Sequence, residues 1–254
     1  MSTPTGFSKR YRGTTKVPQE SQIDELRHAV VLVSGGLDSA TVLAMASATG
    51  WTCHGLTVDY GQRHKAELEA ARAVCEALGA ASHRIVRVEL GAFGGSALTE
   101  PHRTVPTGRD ARAIEAGGIP ETYVPARNTV MLSVALSLAE AIEADAIFCG
   151  VNAIDYSGYP DCRPDFIAAF QALANVATRR GVQGRPIQIK APLIRMRKAE
   201  IIRTGLDLGV DYALTVSCYD PDGAGRACGR CDACTLRRAG FEAAGVADPT
   251  RYRP

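Results

Sequence analysis

Residues 30–43 read VVLVSGGLDSATVL. An apolar run stops at Ser34-Gly35-Gly36, and a helix-like pattern opens near Asp38. Apolar residues without polar alternation suit a strand covered on both faces. Gly35 and Gly36 let the backbone approach a ligand with no side chain in the way. The start of the following helix offers unpaired N–H groups and a partial positive charge, which favour phosphate. Ser34 and Ser39 add hydroxyl donors. The turn lacks the Gly-Lys-Ser/Thr ending of a Walker loop and the G-x-G-x-x-G spacing of a dinucleotide fingerprint. Asp38 has two physical readings: a helix cap, or a partner of a magnesium ion that bridges phosphates.

Outward from this stretch the same rhythm recurs. Strand patterns at 29–33, 53–58, 83–90, 146–151 and 187–193 alternate with helix patterns near 38–49, 65–78, 129–144, 164–180 and 198–208. That alternation predicts an α/β fold with a doubly wound, parallel, five-stranded sheet. Binding sites in such sheets lie beyond the C-terminal ends of the strands. One segment breaks the rhythm: residues 91–121 hold six glycines and three prolines. A loop of that length is a lid over the site or a disordered insertion.

Three regions follow. Residues 1–28 read as a disordered tail, 29–210 as a nucleotide-binding α/β domain, and 211–254 as a C-terminal metal-binding region packed on it. Residues 2–20 are rich in Ser, Thr, Pro and Gly and carry Lys9, Arg10, Arg12 and Lys16. This basic, acid-poor composition also occurs in organelle-targeting peptides, but no amphipathic period accompanies it here. The 254 residues and 46% hydrophobic content suffice for one sizeable core. A net charge of +2 demands neither a nucleic acid nor a membrane. No apolar stretch approaches the roughly 20 residues that span a bilayer. The chain also opens without the apolar core of a secretory signal, so a cytoplasmic protein is expected.

Eight cysteines divide into two groups. Cys53, Cys75 and Cys149 sit in apolar or alanine-rich surroundings and read as small buried hydrophobes; Cys162 falls at the rim of the expected site. Cys218-x9-Cys228-x2-Cys231-x2-Cys234 has the short-loop spacing of a tetrahedral Zn(Cys)4 centre. With four thiolate ligands and no open position, such a zinc ion is structural; an iron–sulfur cluster or redox cysteines are the alternatives.

Polar residues gather after the strands: Arg63, His64, Arg127, Asp155, Tyr156, Tyr159, Asp161 and Lys198. Collected at one rim, they read as a site. Arg127, Lys198 and Arg63 are candidates to steady phosphate or a carboxylate.

S-G-G-L-D-S after a first strand resembles the PP-loop of ATP pyrophosphatases. The resemblance implies cleavage of ATP to AMP and pyrophosphate, with magnesium as the ion. It also implies a nucleotide cradle of Val33, Ser34, Gly35, Gly36, Leu37, Asp38, Ser39, Ala40, Thr41, Val42 and Leu43. A longer set of motifs is more specific. S-G-G-L-D-S, D-Y-G-Q-R-H, V-P-A-R-N-T, D-Y-S-G-Y-P-D-C-R, K-A-E-I and the cysteine cluster with its following L-R occur in this order over residues 29–241. They resemble the 7-cyano-7-deazaguanine synthases of queuosine-precursor biosynthesis. D-Y-S-G-Y-P-D-C-R is the most specific of them. The long N-terminal tail departs from the family pattern, which begins almost at the first strand.

The resemblance implies an adenine-nucleotide hydrolase-like, Rossmann-like fold, a homodimer, and zinc on the four cysteines. It implies 7-carboxy-7-deazaguanine, ammonia and ATP as substrates. Asp38, Arg127 and Lys198 are then the catalytic candidates. Arg63, His64, Arg127, Asp155, Tyr156, Tyr159 and Asp161 are the candidates to hold the deazaguanine. A guanine-like face presents N–H donors, so Asp155 or Asp161 is suited to read it, with Tyr156 or Tyr159 stacking. No glutaminase domain is evident, so ammonia is expected from solution. Two rivals remain. A tRNA-thiolating PP-loop enzyme would use Cys162. A zinc-ribbon module would bind nucleic acid through Arg226, Arg230, Arg237, Arg238, Arg251 and Arg253.

Overall fold

The computed structural model describes residues 27–154 and 158–254. Five parallel strands form one sheet in the order β3-β2-β1-β4-β5. They are β1 (Arg27–Leu32), β2 (Trp51–Asp59), β3 (Ser82–Arg87), β4 (Ala146–Phe148) and β5 (Gln188–Lys190). Eight helices accompany them among the described residues: α1 (Leu37–Ala48), α2 (Ala66–Ala77), α3 (Ala111–Glu115), α4 (Arg127–Ala141), α5 (Pro164–Ala177), α6 (Arg179–Val182), α7 (Lys198–Asp207) and α8 (Asp232–Ala244).

The period-2 geometry of β1 explains why its sequence is apolar throughout. Ala29, Val31 and Val33 join one core with residues of α1, α2, α7 and α8. Val30 joins a second core with Leu132, Ala135 and Ala139 of α4 and Phe170 and Ala174 of α5. The sheet is thus covered on both faces, as the sequence predicts. Strand order reverses between β1 and β4, and the crevice outside their C-terminal ends is where α/β sheets bind ligands.

Several boundaries differ from the sequence reading. The tail expected over residues 1–28 lies outside the described residues except Arg27 and His28, which open β1. Arg27 lies 4.5 Å over the Trp51 ring, and His28 Nδ1 is 3.0 Å from His54 Nε2, so partners on β2 extend the strand. Helix α4 begins two residues early because the Asp161 carboxylate accepts the Asn128 N–H at 3.0 Å, capping the helix from outside. The single helix expected over 164–180 breaks at Thr178 (φ −118°, ψ 150°), whose hydroxyl caps α6 by accepting the Gly181 N–H.

Residues 91–121 are neither a free lid nor a disordered insertion. Ala97 and Val105 pack against Cys218, Cys231 and Cys234. Thr107 bridges to Cys231, and Arg109 forms an ion pair with Asp232. The segment is a strap that fastens the β3 side of the molecule to the cysteine region. That region is in turn continuous with the body: Phe241 of α8 is buried in the first core beside Tyr212 and Ile202 of α7. Among the described residues, no helix is long and apolar enough to cross a membrane.

Candidate functional site

A cavity of ≈ 220 Å³ opens at the C-terminal ends of β1, β2 and β4. Its floor is the turn after β1, where Val33, Ser34, Gly36, Leu37, Asp38 and Ser39 line it. Ala40, Thr41, Val42 and Leu43, expected in the same cradle, are buried in α1 instead, and Val42 and Leu43 belong to the core. The turn is braced internally: Ser39 Oγ donates to the Gly36 carbonyl at 2.9 Å and accepts the Ser34 N–H at 3.2 Å.

Gly35 is constrained by the neighbouring helix α2. Its φ is +84°, and a Cβ there would sit 2.3 Å from the Glu67 carbonyl and 2.7 Å from the Ala71 nitrogen. Gly35 is therefore required by the close approach of α2. Gly36 is the glycine on the cavity floor.

Asp38 is not a helix cap, since Gly36 occupies that position. Its two carboxylate oxygens accept from Lys198 Nζ at 2.7 and 3.0 Å. Lys198 opens α7 and is nearly buried, so the pair joins the first turns of two helices beside the floor.

Arg63, His64, Arg127 and Tyr159 line the walls. Arg63 is held by the strap, donating to the carbonyls of Ala97 (3.4 Å) and Arg103 (3.2 Å). Arg127 lies 5.6 Å over the Tyr60 ring. His64 faces Asp220 at 3.7 Å, but burial lowers its pKa and keeps the ring neutral more readily than the carboxylate charges it. The Tyr159 hydroxyl shares a 2.8 Å hydrogen bond with Thr122. Asp161 is buried behind the wall, one oxygen on Asn128 and the other, Oδ1, without a hydrogen bond. Asp155 and Tyr156 lie outside the described residues.

Sequence reasoning missed several wall residues. Gln62 and Asn152 each follow a strand, but as uncharged amides they stood out less than the charged and aromatic residues beside them. Asn152 donates to the carbonyls of Leu193 (2.8 Å) and Met196 (2.6 Å), tying the loops after β4 and β5 together. Glu67 lies in the first turn of α2, where its sequence neighbours give no hint of a cavity. Among the described residues, Asp38 and Glu67 are the carboxylates on the wall, and Glu67 has no hydrogen bond or ion pair. Burial raises its pKa to about 7, against the pull of Arg127. Cys162 also lines the cavity, but burial pushes its thiol up to about 12, and Cys149 likewise. Burial thus disfavours the thiolate form of both, which weighs against the thiolation reading.

The four clustered cysteines place their sulfur atoms within 4.8 Å of one another. Cys218 and Cys231 are 4.0 Å apart, Cys228 and Cys234 4.0 Å, and Cys231 and Cys234 3.5 Å. Zn–S bonds of about 2.3 Å in a tetrahedron require separations of about 3.8 Å, so the residues fit a tetrahedral thiolate metal site. Backbone N–H groups of Asp220 (3.3 Å) and Cys228 (3.1 Å) point at Cys218 Sγ, as they would toward a thiolate. Cys218 is also a cavity residue, so the metal centre and the cavity share a wall.

The model of the family described as "Queuosine biosynthesis protein QueC" matches residues 28–245. A relative named 7-cyano-7-deazaguanine synthase from Anaeromyxobacter dehalogenans is 65% identical, covering 90% of this chain and 97% of its own. Relatives of the same name come from an Azoarcus species (64% identical, 90% and 98% covered) and from Aromatoleum aromaticum (62%, 90% and 99%). By the extent of that match and the level of identity, the chain belongs to the QueC family of queuosine biosynthesis proteins.

Proposed function

We propose that the chain converts 7-carboxy-7-deazaguanine, ammonia and ATP into 7-cyano-7-deazaguanine, as a ligase forming a carbon–nitrogen bond. The observation that carries this reading is the near full-length match to relatives bearing that enzyme's name. The cavity supports it with a phosphate-type floor, cations on the walls and a free carboxylate.

A carboxylate oxygen is a poor leaving group. Attack of the substrate carboxylate on the α-phosphorus of ATP makes an acyl-adenylate and releases pyrophosphate. Ammonia then adds to the acyl carbon, and AMP leaves with the former carboxylate oxygen, giving the amide. A second ATP adenylates the amide oxygen, and loss of AMP and a proton gives the nitrile. The balance is two ATP consumed, with two AMP and two pyrophosphate released.

In this reading the floor from Ser34 to Ser39 holds the pyrophosphate portion through main-chain N–H groups and hydroxyls. Lys198, beside it on Asp38, offsets charge as pyrophosphate departs, and Arg127 and Arg63 steady phosphate or the substrate carboxylate. Magnesium enters with ATP, where Asp38 would help hold it and it would offset phosphate charge. Ammonia reaches the cavity from solution largely as ammonium, and a proton must leave it before it can attack. Glu67 receives the ammonium and takes that proton. Tyr159 and the segment carrying Asp155, Tyr156 and Asp161 receive the deazaguanine. Cys218, Cys228, Cys231 and Cys234 would hold zinc, which supplies fold stability rather than chemistry. A cytoplasmic homodimer completes the reading, to be tested by sedimentation.

The deciding experiment combines purified protein, Mg·ATP, ammonium and 7-carboxy-7-deazaguanine, followed by mass spectrometry. The expected products are the nitrile and two AMP per nitrile. AMP without amide or nitrile would reject the substrate assignment.

A further inference from the structure

The C-terminal region touches the glycine turn at one defined point. The Val216 N–H donates to the Gly35 carbonyl at 2.9 Å. That carbonyl belongs to the same peptide unit as the Gly36 N–H, and the unit is trans. In a planar trans peptide the two groups point in opposite directions. Holding the Gly35 carbonyl on one side therefore aims the Gly36 N–H toward the other. That N–H already points at Ser34 Oγ, 3.3 Å away, and both residues line the cavity floor. A glycine flanked by a glycine has broad conformational freedom, so the orientation has to be imposed from outside.

What holds Val216 in place is a buried cation. Arg237 is 3% exposed and sits on α8, three residues after Cys234. Its Nη1 donates to Thr215 Oγ1 at 2.8 Å and to Ser217 Oγ at 3.4 Å, the two neighbours of Val216. Its Nη2 donates to the Tyr212 carbonyl at 3.0 Å, and its Nε to Asp248 Oδ1 at 3.1 Å. The guanidinium thus grips both sides of the residue that orients the turn. A fixed planar fork does this better than a flexible ammonium.

We propose that Arg237 is a positioning residue for the anion-binding turn. It acts through Thr215, Ser217 and Val216 to aim the Gly36 N–H at the pyrophosphate portion of ATP. The inference rests on the proposed ATP site and adds to it a reason for the cysteine region to sit against the cavity. The C-terminal region is then part of the ATP grip as well as a staple of the fold.

The test measures inorganic pyrophosphate binding by calorimetry, KM for each substrate, and metal content, in wild type, Arg237→Gln, Arg237→Lys and Thr215→Val. Arg237→Gln is expected to weaken pyrophosphate and raise KM for ATP by about tenfold, the scale of a lost hydrogen bond from a charged group. Thr215→Val is expected to do so by a smaller factor, and Arg237→Lys to restore part of the loss. KM for 7-carboxy-7-deazaguanine and the metal content stay at wild-type values. If Arg237→Gln does not fold, Thr215→Val decides. Folded variants with unchanged pyrophosphate and ATP affinity overturn the inference while leaving the ATP reading intact. So does an equal rise in KM for every substrate. A wild-type protein that binds neither ATP nor pyrophosphate overturns both.

Discussion

Lys198 Nζ donates to both carboxylate oxygens of Asp38, bridging the first turn of α7 to the first turn of α1. The pair is largely sheltered from solvent, so removing either partner leaves a charge that is costly to bury. If the two act as one unit in handling departing pyrophosphate, their substitutions will not add. Lys198→Gln and Asp38→Asn are each expected to lower kcat by about 10²-fold or more, on the scale of other lost transition-state contacts. The double variant should be no worse than the poorer single one. Pyrophosphate release under saturating substrates measures this, and losses that multiply would show the residues to act independently.

Glu67 gives a pH signature. Its pKa is raised to about 7 by burial, so it gains its charge only as pH rises through neutrality. A proton acceptor must be ionised. The ammonium-dependent rate should therefore climb with pH through about 7, beyond the climb due to free ammonia. In Glu67→Gln that inflection should vanish, and kcat/KM for ammonium should fall by about 10²-fold, as for loss of a general base. A variant that keeps the wild-type profile would assign the proton elsewhere.

Gly35 shows where sequence reading reaches its limit. The SGGLDS turn, the five strands and the four metal ligands were legible because each depends on local pattern: apolar runs, helix starts and cysteine spacing. The task of Gly35 was not, because it is set by Glu67 and Ala71 of α2, thirty-two and thirty-six residues away in sequence. The strap at 91–121 was opaque for the same reason. Its glycines and prolines advertise a loop, while what orders it is contact with Cys231 and Asp232, more than a hundred residues downstream. Glu67 became a cavity residue only once α2 was placed over the turn. Gly35→Ala is accordingly expected to act on folding first. A positive φ costs about 1–2 kcal/mol for an L side chain, and the 2.3 Å approach to the Glu67 carbonyl adds backbone displacement. Gly36→Ala meets nothing nearer than 3.4 Å and should remain folded while losing ATP affinity. Denaturation midpoints and pyrophosphate binding separate the two; equal stability losses would contradict the assignment.

Removal of the metal should loosen more than the cysteine loop. Cys231 is fully buried, bridges to Thr107 of the strap and precedes α8. Cys231→Ser is expected to abolish stoichiometric zinc, lower Tm and expose the strap to protease, because binding energy of a structural metal is folding energy. Elemental analysis and limited proteolysis check this. A protein purified without chelators that contains no zinc would remove the assignment.

Acid stability tests the far end of the sheet. His28 Nδ1 and His54 Nε2 are 3.0 Å apart, with the rings stacked at 5.3 Å, and His54 Nδ1 is 2.8 Å from Ser82 Oγ. One ring must accept where the other donates, so the pair tolerates at most one extra proton comfortably. Burial lowers the His54 pKa from its ordinary 6.5, reinforced by His28 and Arg84. His83, hydrogen-bonded to Thr57 at 2.8 Å, is lowered by burial and by Arg72. A histidine with a lowered folded-state pKa binds fewer protons in the folded than in the unfolded state. The stability it lends is then present above the unfolded value and lost as pH falls below about 6.5. Glu67, whose carboxyl is raised to about 7, titrates over the same range with the opposite sign, so urea midpoints should drop between pH 7.5 and pH 5.5 in the Glu67→Gln background. His54→Gln, which removes the like-charge clash while keeping a hydrogen-bonding side chain toward His28 and Ser82, should flatten that slope. A slope unchanged in the variant would locate the acid sensitivity at His83, His64 or elsewhere.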